Sequence, residues 1–154
     1  MTRYRRTIDV EVEPDDAFDF LARFSNAAAW DPGVAEARLL TPEPVGLGSA
    51  FEVMVSTAGR QMPFRYEIIE YQRPSRVVLR AEQPRIVSED TITVVRGLHG
   101  GSAVTYDADL RLTGVLRFLD PLLALVFRRI GDRALDGLRR AFASGQPSAD
   151  PAAS

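Results

Sequence analysis

Between residues 34 and 112 the chain runs through six stretches in which apolar and polar residues alternate, each parted from the next by a turn sequence, and one long helical pattern follows. Alternation with a period of two sends successive side chains to opposite faces of a strand. Strands joined by hairpin-length turns pair antiparallel. A sheet of that kind can leave one face in water and must bury the other. The stretches are Val34–Leu40, Ser49–Ser56, Met62–Tyr71, Arg76–Glu82, Ile86–Arg96 and Ala103–Leu112. The breaks between them hold the expected turn chemistry: two prolines and two glycines in 41–48, Ala58-Gly59-Arg60, Arg73-Pro74-Ser75 and the glycine-rich GLHGG.

A seventh strand precedes these. In residues 3–12, Tyr4, Arg6, Ile8 and Val10 share a face. Pro14 opens a short helix, with Ala17, Phe18, Leu21 and Phe24 at helical spacing and Asp15, Asp16 and Asp19 early, where the helix dipole favours acids. Ser25 or Asn26 is expected to cap a second short helix ending at Trp30, before the turn Asp31-Pro32-Gly33. Asp120-Pro121 starts the last helix, which runs to about Ala143, with Leu123, Phe127, Ile130, Ala134, Leu138 and Ala141 as its apolar stripe. Residues 144–154 are small, polar and proline-containing and are expected to form a disordered tail behind one domain, 1–143. The fold class is α+β: a curved antiparallel sheet of about seven strands, two short helices and a long C-terminal helix.

Several short segments carry a family resemblance. Pro14-Asp15-Asp16-Ala17-Phe18 opens the first helix and Trp30-Asp31-Pro32 closes the second. Gly46-Leu47-Gly48-Ser49 precedes the third strand, Gly101-Ser102-Ala103-Val104-Thr105-Tyr106 opens the last, and Gly114 leads to the long helix. In this order they resemble the START-like, or SRPBCC, superfamily of helix-grip proteins, which includes polyketide cyclases and lipid-transfer domains. The resemblance covers residues 3–143. It implies a hydrophobic cavity between sheet and helix, on a scaffold that serves both binders and enzymes, so fold alone does not assign function.

The residue pattern points to the same cavity. The apolar face carries Phe51, Val53, Val55, Phe64, Tyr66, Ile68, Val77, Leu79, Ile92, Val94, Val104, Tyr106, Ala108 and Leu110. One helix about 10–12 Å across does not cover so wide a face. The sheet must curl strongly, collapse tightly, or enclose a space. If it encloses one, the wall is expected to include Trp30, Phe51, Val53, Val55, Phe64, Tyr66, Asp90, Ile92, Tyr106, Leu110, Leu123 and Phe127.

Composition narrows the chemistry. With no cysteine, thiol nucleophiles, disulfides and thiolate metal sites are excluded. All 19 basic residues are arginine, which removes lysine Schiff bases; a GC-rich genome accounts for that bias. His99, the one histidine, sits in a glycine-rich turn, and no metal and no cofactor is expected. The net charge of −2 argues against nucleic acid. No signal peptide is seen in residues 1–20, and Val115–Ile130 is too broken by charge and proline to span a membrane, so the expected location is cytoplasmic.

Candidate chemistry falls to Asp90, Tyr66 and Tyr106. Strict alternation puts Asp90 beside Ile92 and Val94, facing the apolar side, where its charged form would be disfavoured; a bulge would turn it to solvent instead. Tyr66 and Tyr106 fall on the inward phase, where a phenol serves structure or acid–base work. Trp30 is a core plug or a wall at the cavity mouth. The expected partner is a hydrophobic small molecule: a lipid, polyketide or isoprenoid-like compound. The alternatives are a cyclase- or dehydratase-like enzyme in the same cavity, and docking on a partner or membrane surface through the apolar segment 115–127.

Overall fold

The computed structural model describes residues 2–57, 59–114, 118 and 120–144, and, of these, the side chains of all but residues 57 and 120–123. Strand β1 (Thr2–Val10) leads into helix α1 (Pro14–Ala22), a 3-10 turn (Phe24–Asn26) and helix α2 (Ala27–Trp30). Strands β2 (Val34–Leu39), β3 (Ala50–Thr57), β4 (Arg60–Gln72), β5 (Arg76–Gln83), β6 (Ile86–Arg96) and β7 (Ser102–Leu112) follow, and helix α3 (Asp120–Ala143) ends the described chain. The architecture is the α+β helix-grip arrangement that the alternation implies. The proposed tail lies, from residue 145 on, outside the described residues.

The seven strands form one sheet in the order β1-β7-β6-β5-β4-β3-β2, antiparallel throughout. From β2 to β7 each strand pairs with its neighbour in sequence; the single long-range pairing is β1 with β7. Register shifts between Val34 and Glu36 and between Ile68 and Glu70 mark where the sheet bends. At the β1–β7 edge Gly101 has a φ of 63°, and a Cβ there would strike the Val10 carbonyl oxygen, so only glycine lets β7 begin this close to β1. Ser102 Oγ fastens the same corner by donating to the Val12 carbonyl at 2.6 Å.

The short helices and the C-terminal half of α3 fill one end of the sheet's concave face. Phe18 and Leu21 of α1 and Leu135 and Leu138 of α3 are fully buried there, against Ile8, Val104, Ile92, Val77 and Leu79. Two local expectations need correction. Ile130 lies outside the buried stripe of α3, being exposed; Leu135 and Phe142 take the buried places, Phe127 is half-buried, and the Leu123 side chain lies outside the described residues. Helix α3 lies close on β1 at Gly131, where a Cβ would lie 2.6 Å from the Tyr4 ring, and Phe127 one turn earlier also packs against the core. Asn26 does not cap α2 with its side chain. The 3-10 turn runs on into the helix, Asn26 is itself helical, and its Nδ2 donates back to the Phe20 carbonyl at 3.0 Å.

Candidate functional site

Register decides which side chains meet on the concave face. One row across the sheet reads Tyr4, Ala108, Asp90, Leu79, Ile68. The next reads Thr2, Leu110, Ser88, Ala81, Tyr66, Phe51, Leu39. Strand β6 pairs with β5 and β7 without a register shift, so no bulge rotates Asp90 outward and its carboxylate faces the interior, 5% exposed.

Two hydroxyls bond that carboxylate directly, and a third reaches it through one of them. Tyr106 OH donates to Asp90 Oδ2 at 2.6 Å. Ser88 Oγ donates to Asp90 Oδ1 at 3.3 Å, and Tyr66 OH donates to Ser88 Oγ at 3.1 Å. Aromatic rings hold the phenols in place. The Trp30 ring meets Tyr106 edge-on at 5.9 Å, and Phe24 packs on Tyr66 at 5.0 Å. Among the described residues no cation lies within ion-pair reach of Asp90, although ten arginines elsewhere are paired with acids.

The electrostatic consequence is direct. Burial pushes the Asp90 carboxyl up to about 6; the Tyr106 and Ser88 hydroxyls hold it lower than burial alone would, and the charges of Asp31 and Glu89 raise it further. Burial also takes Tyr66 and Tyr106 well above the ordinary phenol range, with the Asp90 charge adding to the effect. The Asp31 carboxyl is raised by burial and partly held back by the Gly33 amide, which donates to Asp31 Oδ1 at 2.8 Å. A buried carboxyl that titrates near neutrality, among phenols, is what acid–base work or polar ligand recognition requires.

Sequence reasoning passed over two members of this cluster. Ser88 was legible, because it lies two residues before Asp90 and shares its face. Asp31 stands in the sequence as a turn residue and as part of the Trp30-Asp31-Pro32 segment, and nothing local signals that its charge is felt by Asp90 and both tyrosines. Trp30 separates the cluster from the surface: it is 3% exposed, touches Tyr106 on one side, and lines an open groove of about 480 Å³ with Asp31, Gly137 and Arg140 on the other.

The remaining expected wall residues divide into two groups. Phe51, Val53 and Ile92 are fully buried in the packed core. Val55, Phe64, Leu110 and Phe127 are only half-buried, as are Ile86 and Leu112 beyond Ser88 and Leu110 on the same phase. Asp90, Ser88, Tyr66 and Tyr106 lie at the border between these groups. His99 is exposed at the β6–β7 hairpin, and no group of side chains among the described residues is arranged to hold a metal ion. In the segment 115–127, Phe118, Leu125 and Val126 are exposed, while Leu116 and Leu119 lie outside the described residues. No helix among the described residues is long and apolar enough to cross a membrane.

A concave antiparallel sheet gripped by a C-terminal helix is the START-like helix-grip arrangement. Within that class the chain belongs to the family described as polyketide cyclase / dehydrase and lipid transport, whose profile matches residues 1–143. Solved structures share the fold at low identity. A START superfamily protein from Mycobacterium smegmatis is 12% identical over 94% of this chain and 99% of its own, with a TM-score of 0.78. A protein from Thermus thermophilus is 14% identical over 93% of this chain and 97% of its own, with a TM-score of 0.74. The di-domain ARO/CYC StfQ of the steffimycin biosynthetic pathway is 14% identical over 93% of this chain, at a TM-score of 0.69, and this chain spans 50% of it. No curated protein matches the chain.

Proposed function

We propose that the protein binds a hydrophobic small molecule against the half-buried end of the sheet's inner face, under the first half of α3, with the Tyr66–Ser88–Asp90–Tyr106 cluster meeting the ligand's polar end. The observation that carries this reading is a buried carboxylate with no cationic partner among the described residues, at the edge of an apolar surface its own helix leaves partly uncovered. A charge in that position costs stability, so a structural role alone does not account for it. Membership of a family described by both cyclisation and lipid transport supports a ligand of lipid, polyketide or isoprenoid-like type.

A second reading, that the bound molecule also reacts, draws on the Asp90 carboxyl being raised to about 6. A group titrating there both takes and returns a proton near neutral pH. Exposure of Phe118, Leu125 and Val126 on one segment supports a third, docking on a partner or membrane surface through 115–127.

Native mass spectrometry followed by organic extraction tests the leading reading. One apolar molecule per chain, lost in a Phe64→Asp or Leu110→Asp variant that still unfolds cooperatively, is the expected result. An empty protein that takes up none of a panel of fused-ring and long-chain probes overturns it.

A further inference from the structure

Building on the proposed ligand site, we infer that it selects molecules whose polar end donates a hydrogen bond, a hydroxyl or an amine, and turns away carboxylates. Proton counting sets the preference. Ionised Asp90 has no proton and can only accept. Ser88 Oγ and Tyr106 OH each have one proton, and both give it to Asp90. Ser88 therefore accepts from Tyr66, whose single proton is used in turn. Every hydroxyl proton of the cluster is committed inward. What remains to meet a ligand is a set of oxygen lone pairs around a buried negative charge.

The rows place these buried side chains beside the half-buried apolar surface against which the proposed ligand would lie. Ser88 and Tyr66 lie in the row that ends in Leu110 on one side and Phe51 on the other, next to half-buried Phe64. A donor arriving there gains a charge-assisted hydrogen bond. A carboxylate meets oxygen lone pairs and like charge from Asp90 and Asp31, and an ether or ketone meets no free proton. Discrimination by hydrogen-bond sign is large because the losing ligand leaves buried polar atoms unpaired.

Calorimetric titration at pH 7.5 with three naphthalenes of similar bulk tests the inference: 2-naphthol, 2-methoxynaphthalene and 2-naphthoate. The expected order is naphthol tightest, by roughly tenfold or more over the methoxy compound, and naphthoate weakest. In Asp90→Asn, whose amide supplies protons, the preference for naphthol falls towards parity. Ser88→Ala, which releases the Tyr66 proton to meet an acceptor, narrows the gap if the asparagine variant does not fold. Equal binding of naphthol and methoxynaphthalene, or tightest binding of naphthoate, overturns the inference and leaves the ligand site standing. Binding of none of the three overturns both.

Discussion

The concave face of the sheet has two ends that share strands and differ in everything else. At one end Ile8, Val104, Ile92, Val77 and Leu79 meet Phe18, Leu21, Leu135 and Leu138, all essentially without solvent contact. At the other, Leu110, Phe64, Val55 and Phe127 are half-buried, and the side chains bordering them are Ser88, Asp90, Tyr66 and Tyr106. The first end is assembled as a core, with apolar side chains packed to exclusion of water. The second holds an uncompensated carboxylate that packing alone would select against. The contrast separates what holds this fold together from what it carries, and each half makes measurable claims.

The sharpest comparison is one substitution made at both ends. Leu138→Ala removes a fully buried side chain between α3 and the sheet and is expected to cost about 2–5 kcal/mol by urea denaturation. Leu110→Ala, at the half-buried end, is expected to cost about 1 kcal/mol while weakening ligand uptake. Equal losses would erase the distinction between the ends.

Asp90→Asn acts in the opposite direction. The folded-state carboxyl lies at about 6, above its ordinary 3.8, so between those values the folded chain holds a proton that the unfolded chain has lost. Stability therefore falls as pH rises from 4 to 6 and stays reduced above that. That rise, roughly two pH units net of the Tyr106 and Ser88 hydrogen bonds, corresponds to about 3 kcal/mol as an upper figure. The asparagine variant is expected to gain up to that amount at pH 7 relative to wild type, and the gain should vanish near pH 4. The charges of Asp31 and Glu89 and the phenols of Tyr66 and Tyr106 face Asp90, and burial raises the Asp31 carboxyl as well, so Asp31→Asn serves as the control for its share of the pH dependence. A gain independent of pH would contradict the assignment of the titration to Asp90.

How much of this was legible follows the same division. Strand phase holds a period of two except at the register shifts in β2 and β4, so most of the inward set from Phe51 to Leu110 follows from the alternation, as α3 follows from its aspartate–proline start. Asp90 could be placed only conditionally, because a single bulge in β6 would have reversed it; the unshifted pairing on both sides removes that condition. Asp31 was not legible as a neighbour of Asp90. Its position depends on how the α2–β2 turn sits under α3, and that is tertiary geometry with no periodic signature. Ile130 is exposed although Phe127 before it and Ala134 after it pack against the core: helical period gives the stripe, and tertiary packing sets its edge.

Gly137 tests the link between the two ends. A Cβ there would run into the Trp30 carbonyl oxygen, so Gly137→Ala is expected to push α2 away from α3 at about 1–3 kcal/mol and to shift the emission of Trp30, the one tryptophan. Unchanged fluorescence would mean that Trp30 does not rest on that contact. The smallest effect belongs to Tyr66→Phe, which removes one hydrogen bond to Ser88 for about 0.5–1.5 kcal/mol and should leave the packed end unaltered by hydrogen exchange.

The most direct test of the account is an amide chemical-shift map recorded while 2-naphthol is added to the intact protein at pH 7.5. Perturbations are expected to concentrate on Ser88, Asp90, Leu110, Tyr66 and Phe64 and to spare Ile8, Val77, Val104 and Leu138. Shifts confined to the outer groove around Ala28, Pro32 and Arg140, or no shifts at all, would contradict the account.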